Sequence, residues 1–286
     1  MKVKAHAKIN LSLDVVGKRE DGYHLLEMVM QSIDLHDELT LDLTQQGIEL
    51  TCNLPYVPLN SRNIAYKAIR MFLDFNSLSQ GIHLHIEKRI PVGAGLAGGS
   101  TNAAATLMAL NEMFGYPMTM TQLLNLGLSL GADVPFTMIG GTALCEGVGE
   151  LITKLPDFSG KIVVLTKPPF SVSTKQIFSE YHIDKVNRQP ETKRLIQGIQ
   201  ADDFNQVAAN LGNVLENVTL KKHPVLRSIK KELRELGAAG CLMSGSGPTV
   251  FGLFDDRSQA KAAYAVFAKR YRETFLTTTI GSLPTL

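Results

Sequence analysis

The sequence predicts an α+β fold in two parts, and three features carry that prediction. Strand-like alternation dominates residues 1–51, helical spacing fills the middle of the chain, and the end reads strand, strand, helix, strand. The regular strand–helix alternation of a parallel sheet is missing. The chain has 286 residues, 44% of them hydrophobic, which allows one large core or two medium ones. A change of pattern near 155–165 places the division at 1–158 and 159–286.

The elements follow in order. Val3, Ala5, Ala7, Ile9, Leu11, Leu13 and Val15 alternate with Lys2, Lys4, His6, Lys8, Asn10, Ser12 and Asp14. A period of two predicts a strand with one buried face. GKREDGYH then reads as a turn around Asp21 and Gly22. LLEMVMQSIDL, DELTLDL and GIELTC read as further strands. Residues 63–75 carry helical spacing, and 81–90 alternate again into a glycine loop. After the loop, Ser100 or a neighbour is expected to cap a helix running to about Phe114. Thr119 or Thr121 caps the next, up to Leu130, and GADVPF opens a new segment. TALCEGVGELITKL suggests a hairpin, KIVVLT a strand, and 174–236 a mostly helical stretch. Residues 238–243 and 249–254 read as strands joined by SGSGP. A helix over 258–271 and a strand over 275–280 complete the chain.

Composition excludes several classes. The balance of 29 basic and 27 acidic side chains leaves a charge of +2, without the basic stripe of a nucleic-acid binder. Cys52, Cys145 and Cys241 are far apart and form no CxxC pair, which suits a reducing cytoplasm. No apolar run spans a bilayer, and the first residues lack the apolar core of a signal peptide. The histidines show no HxxxH spacing. His83 and His85, alternating on one strand face, point to no metal site.

PVGAGLAGGSTNAA, residues 91–104, fits G-x-G-x-x-G at Gly93, Gly95 and Gly98. A dinucleotide site requires a second strand ending in an acidic residue about 20 positions on. That position falls near Glu112, inside the predicted helix, and another helix follows, so the context opposes an NAD site. No Walker A pattern is present. Strand, glycine loop and helix together still make a cradle for a phosphate: glycines permit close approach, and free N–H groups at the helix start face the anion. A flexible turn is the bland alternative. Lys8 shares its strand face with Asn10, Ser12 and Asp14. Asp133 follows Gly131, which suits either a plain turn or a base held ionised by a lysine. SGSGP forms a second glycine loop.

AKINLSLDVVGKREDGYH (7–24), PVGAGLAGGSTNAA (91–104) and MSGSGPTVFG (243–252) together resemble the three motifs of the GHMP kinase superfamily, which includes galactokinase and the homoserine, mevalonate and phosphomevalonate kinases. AKINLxLxVxGKRxDGYH, with GADVPF and GGTALCEGVGE, is similar to the branch acting on 4-diphosphocytidyl-2-C-methyl-D-erythritol in the non-mevalonate isoprenoid pathway. The resemblance implies an N-terminal domain like ribosomal protein S5 domain 2 and a C-terminal ferredoxin-like domain. It implies ATP with Mg²⁺, and phosphorylation of the substrate's tertiary 2-hydroxyl. Lys8 and Asp133 would be catalytic. Pro91, Val92, Gly93, Ala94, Gly95, Leu96, Ala97, Gly98, Gly99, Ser100 and Thr101 would hold ATP. Asn10, Tyr23, His24, Thr174 and Phe178 would line the substrate pocket. Such an enzyme would be a cytoplasmic monomer or weak homodimer, with a small-molecule substrate and no nucleic acid or membrane partner.

The loop departs from the family pattern twice. Ala97 stands where Gly is common, which is costly if its φ is positive. Asn102 replaces a carboxylate, so a lowered activity or a catalytically silent relative is an alternative, as is another GHMP small-molecule kinase.

Overall fold

The computed structural model describes residues 1–282 apart from 21, 23 and 187. β1 (Lys2–Lys18) and β2 (His24–Thr44) form a long antiparallel pair. Two stretches that read as separate strands are one strand of 21 residues, β2. Register shifts opposite His6/Lys8, Asn10/Ser12 and Val15/Gly17 bend the pair without breaking it. β3 (Ile48–Cys52), α1 (Ile64–Phe75) and β4 (Gly81–Glu87) follow, and β4 pairs with both β2 and β3. Asn63 caps α1 by accepting from the Ala65 N–H.

The glycine loop then leads into α2 (Gly98–Met113), α3 (Met120–Leu130) and α4 (Val134–Ile139). Thr119 forms a capping box with Gln122 at the start of α3, as the sequence predicts. The expectation for Ser100 is corrected. α2 starts at Gly98 and its cap position is Ala97, in the left-handed region, with no side-chain cap. Ser100 lies inside the first turn and cannot cap it. The helices pack on the sheet through Phe72, Leu107 and Leu110 against Leu39, Leu41 and Leu84. β5 (Thr142–Gly147) pairs with β2, and β6 (Leu151–Lys154) completes the expected hairpin.

The chain next enters a second, antiparallel sheet. Its elements are β7 (Ile162–Lys167), α5 (Thr174–Ser179), a 3₁₀ turn (Ile183–Lys185), α6 (Thr192–Gln200) and α7 (Phe204–Ala209). β8 (Gly212–Asn213), α8 (Glu216–Lys222), α9 (Val225–Glu235), β9 (Gly240–Met243), β10 (Val250–Phe254), α10 (Arg257–Ala268) and β11 (Glu273–Thr278) follow. Strand order in this sheet is β11-β7-β10-β9. The stretch 174–236 is helical in short pieces, interrupted by β8, which leaves its neighbours to pair parallel with β1 at Ser12 and Leu13.

β1 differs from its expected amphipathic form. Its apolar face packs Ala7, Ile9 and Leu11 against Val163, Leu165, Phe251 and Leu253 of the second sheet. Each such side chain stabilises by about 1.5–3 kcal/mol. The polar face is buried as well: Lys8, Asn10, Ser12 and Asp14 are at most 9% exposed. Later parts of the chain cover it. Thr192 reaches Ser12, and the Gly245 N–H reaches Asn10. Polar groups at such a place need partners, and that requirement organises the site.

Candidate active site

Lys8 is 4% exposed, so its ammonium must be neutralised. Nζ donates to Asn10 Oδ1 at 2.8 Å and lies 3.8 Å from Asp133 Oδ2. Asp133 stands one residue before α4, and its side chain makes no cap hydrogen bond, leaving the carboxylate for Lys8. Asp133 is partly exposed while Lys8 is not. The pair therefore presents an acceptor to solvent with a cation behind it. Cys145 lies beside them, and burial, then the charge of Asp133, pushes its thiol up to about 12. It stays a thiol and takes no part as a nucleophile.

The glycine loop lies against this pair. The Lys8 N–H donates to the Leu96 carbonyl. Gly93 (φ 62) and Gly95 (φ 76) occupy the left-handed region, and so does Ala97 (φ 58). A Cβ on Gly95 would sit 2.2 Å from the Ser244 carbonyl oxygen, so only glycine lets the two loops meet there. Ser244 Oγ donates to Gly95 O at 2.8 Å. The second loop, SGSGP, turns the β9–β10 hairpin and at the same time abuts the first glycine loop. With no side-chain cap at Ala97, the first N–H groups of α2 remain available to an anion.

The expected phosphate-loop residues divide into two groups. Val92, Gly93 and Gly99 are exposed, and Ser100 is half-buried. Ser100 Oγ lies near Gly131, on the Asp133 turn. Pro91, Ala94 and Leu96 are buried and can offer only backbone. Thr101 is 1% exposed, and its hydroxyl donates to the His6 carbonyl at 2.6 Å. That hydroxyl ties α2 to β1.

Of the expected substrate-side residues, His24 and Phe178 come together, with ring centroids 5.3 Å apart and tilted by 32°. Burial, and then the charge of Lys18, holds the His24 imidazole below its usual 6.5. Tyr181 meets His24 edge-on at 6.0 Å. Thr174, one turn before Phe178 on α5, shares a 2.8 Å hydrogen bond with Ser246 of the second glycine loop. Tyr23 lies outside the described residues. Asn10 is 0% exposed and binds Lys8 and the Gly245 N–H, so it braces the site from within.

Asp37 is the residue that sequence reasoning missed. Fully buried, it accepts from the Arg89 N–H at 2.7 Å, the Ile90 N–H at 2.8 Å, Asn102 Nδ2 at 2.8 Å and the Lys88 ammonium. Burial pushes Lys88 down against the pull of Asp37. This carboxylate joins both ends of the phosphate loop. Asn102, which reads in the sequence as a lost carboxylate, is a donor to one. Asn213 does the same work under the second loop, donating to the Met243 and Gly245 carbonyls at 2.8 Å each. No spacing announces either residue, because their partners are distant in the chain.

Comparisons with known proteins agree with this geometry. Residues 63–141 match the model of the GHMP kinases N terminal domain, and 195–273 that of the GHMP kinases C terminal domain. A 4-diphosphocytidyl-2-C-methyl-D-erythritol kinase of Clostridium botulinum (strain Alaska E43 / Type E3) is 51% identical over 280 residues, covering 98% of this chain and 100% of the relative. The kinase of the same name from Clostridium beijerinckii is 52% identical over 280 residues, with the same coverage of each chain. The crystal structure of a 4-(cytidine 5'-diphospho)-2C-methyl-D-erythritol kinase superposes with a TM-score of 0.85 at 31% identity, over 98% of this chain and 100% of that one. A homoserine kinase from Cytophaga hutchinsonii shares the fold, with a TM-score of 0.78 at 20% identity, over 99% of this chain and 96% of that one. With Lys8 beside Asp133, two abutting glycine loops, and near-full-length identity of this order, the chain belongs to the GHMP kinases and, among them, to the 4-diphosphocytidyl-2-C-methyl-D-erythritol kinases.

Proposed function

We propose that the protein transfers the γ-phosphoryl group of ATP to the tertiary 2-hydroxyl of 4-diphosphocytidyl-2-C-methyl-D-erythritol. The carrying observation is the 3.8 Å approach of Lys8 Nζ to Asp133 Oδ2 beside the phosphate cradle. Phosphoryl transfer needs positioning and charge neutralisation above all. Asp133 accepts the hydroxyl proton as the new O–P bond forms and the bond to ADP breaks. Lys8 keeps Asp133 ionised and faces the charge on the transferring group. Backbone N–H groups of 98–100 receive the ATP phosphates. His24 and Phe178 take the cytosine ring. We take 1–158 as the ATP-binding part and 159–286 as the substrate-side part.

Mg²⁺ is a hard cation that takes carboxylate and hydroxyl oxygen together with nucleotide phosphates. Asp133 and Ser100 offer such oxygens beside the cradle, and Asp37, saturated by four donors, does not. Bound there, the ion would neutralise phosphate charge. A cytoplasmic monomer or weak homodimer completes the proposal. The compartment is supported by three free cysteines, which suit a reducing environment.

The test is ADP release with Mg-ATP and the diphosphocytidyl substrate. Turnover is expected there and not with homoserine or mevalonate. Asp133→Asn is expected to lower kcat by about 10²–10⁴-fold with little change in KM. Undiminished kcat in that variant, or preference for another acceptor, overturns the reading.

A further inference from the structure

We propose that His6, Asp34 and His36 form a site for one divalent transition-metal ion of the zinc type, which clamps the β1–β2 pair where it meets the phosphate-loop helix and the second sheet. The site is outside the cradle and is a product of strand pairing. His6 and His36 are register partners, while Lys8 pairs with Ser32, so β2 carries a bulge between them. Asp34 is two residues from His36 and shares its strand face. Pairing of the two strands thereby gathers two imidazoles and a carboxylate on one patch. Each offers one ligand atom, and these atoms lie within 4.8 Å of one another.

The distances suit an ion with small side-chain movement. His6 Nδ1 is 3.8 Å and His36 Nδ1 3.6 Å from Asp34 Oδ1. Ligand atoms about 2.0–2.1 Å from a tetrahedral metal stand about 3.4 Å apart. His6 Nδ1 is also buried with no hydrogen-bond partner, which buried polar atoms rarely tolerate. A metal would satisfy it. His36 Nδ1 lies 2.6 Å from the Asp34 carbonyl, so coordination there replaces a hydrogen bond. Two imidazoles and one carboxylate select zinc, cobalt or nickel over magnesium and calcium. Three protein ligands leave a position for water, and exposed Asp34 gives a route in. Arg89, on the rim of the adjoining hollow, is occupied by Glu38 at 3.0 Å.

The location gives the ion its role. The His6 carbonyl receives the Thr101 hydroxyl from α2. Ile33 bridges Thr279, and the Ser32 carbonyl receives the Ile280 N–H. An ion at the bulge fixes the point where those three segments are joined.

The test uses untagged, chelator-treated, full-length protein without nucleotide. Titration with Co²⁺ is expected to develop visible ligand-field absorption saturating at one equivalent and displaced by Zn²⁺. Zn²⁺ is expected to raise the Tm. Asp34→Asn, an exposed and structurally mild change, and His36→Gln should each weaken Co²⁺ binding at least about tenfold. Equal binding by wild type and both variants overturns the proposal, as does a wild type that takes up no Co²⁺ at about 100 μM or shows an equal Zn²⁺ shift in the folded Asp34→Asn protein.

Discussion

Ala97 holds φ at 58, a conformation that costs a side-chain-bearing residue about 1–2 kcal/mol. Ala97→Gly removes that strain but frees the unfolded chain by about 0.5–1 kcal/mol. The expected result is a urea midpoint equal to or slightly above wild type, with activity kept. Gly95→Ala behaves oppositely. Its Cβ would stand 2.2 Å from the Ser244 carbonyl oxygen, and the two loops must part. Misplacement of that size is expected to lower kcat/KM for ATP about 100-fold. Asn102→Asp sets a second carboxylate against Asp37, where Nδ2 now sits 2.8 Å from Oδ2. One of the two must then hold a proton, so its folded value rises above the unfolded one. Stability is present at low pH and lost as pH rises through the folded value. Urea melts at pH 3 and pH 8 should show near-equality with wild type at the first, below the unfolded carboxyl's value of about 3.9, and a loss of about 2 kcal/mol at the second. These side chains were legible only in part. Ala97 and Asn102 stand out from the loop's pattern. Asp37 does not, because an aspartate between apolar strand residues reads like any solvated one until Lys88 and Asn102 fold over it.

Elements were more legible than their surroundings. The alternation of β1, the cap at Thr119 and the glycine breaks follow local chemistry, and local chemistry is visible in a sequence. Burial of β1's polar face was not visible, since its cover comes from Thr192, β8 and the second glycine loop. The same distance hid the anchor of that loop. Asn213 donates to the Met243 and Gly245 carbonyls and accepts from the Leu215 N–H at 2.9 Å. Asn213→Ala leaves these buried groups unpaired, at about 1–3 kcal/mol each. A lower thermal midpoint together with a raised KM for ATP is expected. A raised KM with no change in stability would assign Asn213 to nucleotide contact instead.

At the scale of the molecule, the candidate site uses neither half alone. Lys8, the 91–99 loop and Asp133 come from the first, and Ser244 to Ser246 from the second. Apolar residues of β1 also belong to the core that packs the second sheet. Unfolding should therefore be one transition. Nucleotide at about 100 times its Kd should move the whole of it, adding about 2.7 kcal/mol. Calorimetry showing two transitions, only one of them shifted by ATP, would separate the halves. The family motifs made this architecture readable from three short segments. The contacts that close it were unreadable, for they join segments by packing rather than by pattern.

The hydrogen bond from the Gly245 N–H to Asn10 spans 235 residues. During synthesis, at about 5–20 residues per second, Asn10 leaves the ribosome long before its partner exists. For that interval the polar side of β1 lacks the cover that the second glycine loop gives Asn10, and the first glycine loop lacks its neighbour. A nascent chain halted before the second glycine loop would hold neither nucleotide nor acceptor in register. Catalytic competence is thus acquired late, when nearly the whole chain has been made.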